Sequence, residues 1–361
     1  MRKTIPAVAL MCAAMMIAAS CSKPVEKETE TSASAASTTV SETTSVPETS
    51  ETSVTTQATE ATETTAAPSE FKISLSGKAA DKTIVDNNSY YEGEDYVIYF
   101  EKDSTVYGDT ASRIDSVMHD MEELYGMSYG NKEYAVNAEW KQLYGFGNLG
   151  QVNSSGDKID IVICKDMSDG SIECCDSNAI FLFDSDFEPT RDNFSILYHE
   201  FAHLLRLRQS PNLGKVLEEG IGSYTEDRMA RSRGESAWDT IQYVSDDIHK
   251  IPYDDSVIVK DPEQEFRDNN IGDRADGQKE YQYGIRFITF LVSEYGDGIV
   301  KTLSENARKY DYDGKDNDTI IKIIKESTSD DIFERFAKWL PKGWKAYSKD
   351  YFKYMEKKGL M

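Results

Sequence analysis

The stretch Tyr198-His199-Glu200-Phe201-Ala202-His203-Leu204-Leu205 constrains this chain more than any other. On an α-helix, residues four apart lie one above the other, so His199 and His203 can hold one ion between two imidazoles. Glu200 is rotated about 100° from His199, beside such an ion rather than on it, where a general base belongs. The helix has independent support. Phe194, Leu197, Tyr198, Phe201, Leu204 and Leu205 follow the i, i+3, i+4, i+7 pattern of a buried stripe, with the histidines at its edge. Asp192 or Asn193 can cap its start, and Pro211 bars continuation at its far end. The chain has four histidines and two fall in this motif, so chance imidazoles on a buried helix explain it poorly.

The chain carries a net charge of −24 and no basic cluster with interleaved aromatics, which argues against nucleic acid and against an anionic membrane face. Arg2 and Lys3 precede an apolar run over residues 5–19 that is too short for a stable transmembrane anchor. The run ends Ala18-Ala19-Ser20-Cys21, which resembles a bacterial lipobox, with Ala18 where the usual leucine stands. Residues 1–21 therefore read as a lipoprotein signal with Cys21 lipidated, an ordinary secretory signal being the alternative. Either reading exports the protein. The lipid on Cys21 would hold it to the outer face of a bacterial cytoplasmic membrane.

Residues 22–70 are Ser, Thr, Glu, Ala and Pro with scarcely a large apolar side chain. Such a tract cannot bury enough surface to offset its ordering entropy, so the sequence predicts a disordered tether. About fifty such residues span on the order of 40 Å. With Cys12 in the signal and Cys21 lipidated, Cys164, Cys174 and Cys175 remain. Cys164 can bridge to Cys174 or Cys175, or the thiols are buried; the pairing stays open.

From Phe71 the composition becomes globular. Tyr96–Phe100, Ile159–Cys164 and Ala179–Phe183 read as strands, and 109–125 as a helix with Ile114, Val117, Met118, Met121 and Leu124 on one face. A Gly- and Asn-bearing stretch, 145–156, precedes the second strand. The expected order is strand, helix, strand, strand, active helix. Helices are then expected over 215–230, 285–295 (opened at Tyr281), 302–309, 319–326 and 331–340, before an aromatic tail with Trp344, Tyr347, Tyr351 and Phe352. The expectation is an α+β domain over 71–361. Its small mixed sheet and active helix occupy 71–207, and a mainly helical lower subdomain occupies 208–361. His119 and His249 read as surface residues. The acidic run from Asp311 through Asp313 and Asp316 to Asp318 lacks the EF-hand glycine and bidentate glutamate. A turn and an N-cap for the following helix explain it better than structural calcium does.

The segment Glu219-Gly220-Ile221-Gly222-Ser223-Tyr224-Thr225-Glu226 resembles the Glu-Gly-Phe-Ala-Ser-Tyr-x-Glu segment of the aminopeptidase N branch of the gluzincin metallopeptidases. With the His199–His203 motif upstream, the resemblance implies a zincin core, one catalytic Zn²⁺, and His199, His203 and Glu219 as its ligands. Glu218 lies about 100° around the helix from Glu219, so only one of the two can face the ion. The metzincin extension is absent, since Arg206 stands at its glycine and Gln209 at its third histidine. In aminopeptidase N relatives a tyrosine three residues before a glycine, opening a helix, donates to the developing oxyanion. Tyr281 occupies that place before Gly284, with Tyr283 as its alternative.

The resemblance implies peptide-bond hydrolysis with Glu200 as general base, on peptide or protein substrates; a monomer is expected. It also implies that an extended substrate pairs along a free edge of Ala179–Phe183. Glu226 is a candidate to orient a ligand histidine. The Gly-Ala-Met-Glu-Asn segment that holds a free N-terminus in aminopeptidase N relatives is missing, which favours an endopeptidase. The rival readings are a non-peptidase zinc hydrolase with the same ligands and a catalytically silent surface-binding lipoprotein.

Overall fold

A computed structural model of the chain describes residues 71–135, 158–165, 174–175, 178–188, 195–235, 237, 255–271, 279–312 and 314–359. Cys21 and the signal, the tether, the stretch 145–156, the caps at Asp192 or Asn193, Asp313 and His249 lie outside the described residues, as do the side chains of Cys174 and Cys175.

The described part is α+β. Its larger sheet is built from β1 (Phe71–Lys72), β3 (Ser89–Glu92), β4 (Tyr96–Phe100), β6 (Ile159–Cys164), β8 (Ala179–Phe183) and β7 (Cys174–Cys175), in that spatial order. A ribbon of β2 (Lys82–Ile84) with β5 (Thr105–Tyr107) stands apart from it. Strands β4, β6 and β8 run parallel, in a register that sets Tyr96 against Ile159 and Ile161 against Ile180. Every residue of β6 and β8 is buried, as in central parallel strands; β8 is an unbroken apolar run, and β6 is apolar but for the buried Asp160. Cys164 is buried at the end of β6.

Helix α1 (Thr110–Tyr125) buries Ile114, Val117, Met118 and Met121, and its C-cap Gly126 takes the left-handed conformation at φ 60° that ends helices readily. Helix α2 (Ser195–Gln209) carries the histidine motif and lies against β7, β8 and α1. The expected buried stripe is there from Leu197 to Leu205, Phe194 lying outside the described residues, and burial goes further: within α2 only Ile196 and Leu207 keep partial exposure. The remaining cover comes from α3 (Lys215–Arg233), which crosses the face of α2 that holds the histidines. Tyr198 donates to Asp120 at 2.8 Å, Arg233 donates to the same carboxylate at 2.9 Å, and α1, α2 and α3 are joined there.

Two short helices, α4 (Asp255–Lys260) and α5 (Pro262–Ile271), were not expected from the polar sequence between α3 and Tyr281. Asp261 caps α5 by accepting from Gln264 N at 3.2 Å, and Pro262 sits at its first position. Helix α6 (Lys279–Tyr295) follows, then α7 (Ile299–Ala307), α8 (Asn317–Ser327) and α9 (Ile332–Lys358). Asp316 caps α8 through Thr319 N, which is the turn-and-cap arrangement expected of the acidic run. The helix expected to stop at Leu340 runs on through Pro341 and takes in the aromatic tail. An interior proline costs about 3 kcal/mol. Here the buried face continues on both sides of it, through Phe333, Phe336 and Leu340 to Trp344, Tyr351 and Met355, and that packing outweighs the break.

One further expectation is corrected. The outer edge of β8 is not free, because Ile180 and Phe181 pair with Cys175 and Cys174 of the antiparallel β7. The apolar strand was recognisable, but the two-residue strand beside it carried no pattern to find.

Helices α3 and α6 meet at Gly220 and Gly284. A Cβ on Gly284 would lie 2.4 Å from the carbonyl oxygen of Val216 and 2.8 Å from the Cα of Gly220. Both obstacles are backbone, so the helices would have to separate. Gly284→Ala is expected to lower stability by about 1–3 kcal/mol, read as a lower urea midpoint at unchanged m.

Candidate metal centre

The spacing of His199 and His203 on α2 directs both imidazoles toward α3, where Glu219 reaches between them. Glu219 Oε2 lies 3.4 Å from His199 Nε2 and 3.5 Å from His203 Nε2. One ligand atom from each of these residues lies within 4.8 Å of the others, and this is the only such cluster among the described residues. The imidazole rings meet edge to face at 4.7 Å between centroids. Four-coordinate zinc with N and O ligands at about 2.0–2.2 Å sets those atoms roughly 3.3–3.6 Å apart. Two neutral imidazoles with one carboxylate suit that ion, so the residues present fit a catalytic metal site.

The site is closed on the protein side. His199 is 4% exposed and His203 9%, while Glu200, the next residue of α2, is 7% exposed. Burial pushes the Glu219 carboxyl up, but hydrogen bonding to His199 and His203 and their charge outweigh it. The carboxyl is held well below the usual carboxylate range.

Behind the imidazoles stand two further carboxylates of α3. Glu226 Oε2 lies 3.7 Å from His199 Nδ1, and Glu218 Oε2 lies 4.0 Å from His203 Nδ1. Of the adjacent pair Glu218 and Glu219, it is Glu219 that faces both Nε2 atoms. Glu218 is turned into the protein, where Arg206 Nη2 lies 2.5 Å from its Oε1. No sequence signal marked that partnership, since Arg206 was informative only as the residue standing at the metzincin glycine.

Gly222 has a reason that the motif alone does not state. A Cβ there would lie 2.7 Å from His199 Nε2, so a side chain would occupy the space of the imidazole.

From α6, the ring of Tyr281 stacks on His199 at 6.2 Å between centroids and 28° between planes. Tyr283, the alternative, is fully buried in the core and donates its hydroxyl to Pro262 O at 2.6 Å. Only Tyr281 reaches the site. His119 is exposed on α1, away from it.

No protein-family model matches the sequence, and no curated protein does. Among solved structures the chain is similar to the ZmpB metallopeptidase from Clostridium perfringens, at 10% identity over 69% of this chain and 46% of that one, with a TM-score of 0.37. It is similar to the catalytic module of the metalloprotease ZmpA from Clostridium perfringens, at 10% identity over 73% and 48%, with a TM-score of 0.32. A functionally unknown conserved protein from Bacillus anthracis matches at 11% identity over 71% and 52%, with a TM-score of 0.35. The chain spans about half the length of these structures.

Gly222→Ala is expected to leave the fold in place while displacing the His199 ring. Equilibrium dialysis against Zn²⁺ should then show less than one ion per chain at concentrations that saturate the wild type.

Proposed function

We propose that this chain is a zinc-dependent metallopeptidase of gluzincin type, acting as an endopeptidase outside the cell and tethered through Cys21. The observation that carries the proposal is the convergence of His199 Nε2, His203 Nε2 and Glu219 Oε2 beside Glu200. His199, His203 and Glu219 would hold a zinc ion, which when bound would supply Lewis acidity toward a scissile carbonyl and make a water molecule easier to deprotonate.

The protein's own groups do the rest. Glu200 stands one residue along α2 from His199 and takes the proton of the attacking water, then passes it to the leaving amine. Tyr281, whose ring stacks against His199, is the residue to which we assign hydroxyl donation to the developing oxyanion. Glu226, behind His199 Nδ1, favours the tautomer that leaves Nε2 free for the ion. The lipobox-like signal and the tether, as sequence features, place such an activity at a cell surface.

Full-length protein should cut unfolded protein and peptide libraries, and chelation followed by Zn²⁺ should abolish and restore the cutting. Glu200→Gln should bind one Zn²⁺ as wild type does while cleaving about 10²–10⁴-fold more slowly. A Glu200→Gln variant that cleaves at the wild-type rate sinks the mechanism. Stoichiometric zinc without any cleavage would favour the silent binding lipoprotein or a non-peptidase hydrolase. Tyr281→Phe should lower kcat by about 10²–10³-fold with little change in KM, as loss of an oxyanion donor does.

A further inference from the structure

Adjacent glutamates on one helix cannot both face the same ion, and the one turned away must meet its buried charge elsewhere. Glu218 is 5% exposed. Its Oε1 accepts from the backbone N–H of Leu213 at 2.7 Å and lies 2.5 Å from Arg206 Nη2. Arg206 is fully buried one helical turn beyond His203, and its Nη1 is itself fixed by Ser210 Oγ at 2.9 Å and Pro211 O at 2.7 Å. One oxygen of the carboxylate is thus held by a hydrogen bond and an ion pair. The other, Oε2, is buried without a hydrogen-bond partner and lies 4.0 Å from His203 Nδ1.

We infer that Glu218 is a positioning residue of the metal centre. Arg206 and the Leu213 N–H hold one carboxylate oxygen, so the other accepts the Nδ1–H of His203 and leaves Nε2 to bind the ion. The gap of 4.0 Å closes by a small rotation of either side chain to the 2.7–3.2 Å of an N–H···O bond. Arg206 has a second effect. By engaging Glu218 it removes the rival carboxylate from the ligand position and leaves Glu219 alone there. The inference rests on the metal-centre reading and reaches beyond it to a residue that touches neither ion nor substrate.

The decisive variant is Glu218→Gln. Its amide has a single acceptor, which Leu213 N–H and Arg206 both claim, so the amide nitrogen turns toward His203. A donor then opposes the Nδ1–H donor that metal binding requires. Glu218→Ala only removes the acceptor. Zn²⁺ affinity of the full-length protein, measured by competition with a chromophoric chelator, should fall 10–100-fold in both variants. Glu218→Gln should bind at least as weakly as Glu218→Ala, although its metal-free melting temperature stays closer to wild type. A purely structural role predicts the reverse order of affinities, and that order overturns the inference.

Proton NMR of the zinc-loaded wild type gives a second measurement that needs no variant. The His203 Nδ1–H should resonate far downfield and exchange slowly with solvent. Fast exchange at an ordinary shift overturns the inference. A wild type that takes up no Zn²⁺ overturns the metal-centre reading as well, whereas tight wild-type binding with undiminished Glu218→Gln affinity overturns this inference alone.

Discussion

Glu218, Glu219, Glu226, His199, His203 and Arg206 are packed together between α2 and α3, and these groups offset much of one another's desolvation. Glu218 and Glu226 are 5% and 1% exposed, and Arg206 is fully buried. An isolated buried charge of this kind costs several kcal/mol. The two helices therefore cannot rotate or slide independently, since any shift would leave a charge without its counterpart. Glu219 set between His199 and His203, and Glu218 held by Arg206, fix a single register. Whatever the cluster does chemically, it also specifies how the sheet half of the domain meets the helical half.

That register requires close approach. Gly222 lets the His199 ring lie against α3, and Gly220 with Gly284 lets α6 lie against the other side of α3. The consequence for function is direct: α6 brings Tyr281 over His199 while burying Tyr283 in the core. Side chains at these glycines would move α6 outward and take Tyr281 with it. The same two contacts that pack the helices therefore bring the Tyr281 ring to the His199 imidazole.

Strong periodicity was readable in the sequence, and weak or short elements were not. Ile159–Cys164, Ala179–Phe183 and the apolar faces of α1 and α2 appear where their patterns lie. Strands such as β1 and β7 have two residues each and carry no pattern of their own; their pairing partners define them. That is why β8 looked like an open edge until β7 was seen beside it. Helix α9 passes through Pro341 because packing on either side outweighs a local penalty. Helix α5, not expected in its polar stretch, nonetheless begins on a local signal, the cap Asp261 followed by a first-turn proline.

By itself the sequence determined which chemistry was available. The four-residue spacing of His199 and His203 puts both on one helical face, and the order Glu218-Glu219 allows just one of them toward any shared ion, because helix geometry is local. Tertiary structure alone decided the rest. It turned Glu219 toward both imidazoles and Glu218 toward Arg206, set Glu226 behind His199, and put the ring of Tyr281 against His199 with Tyr283 in the core. Those choices depend on the angle and distance at which separate helices cross. Packing of glycines and pairing of buried charges set both, across gaps in the chain that no local pattern spans.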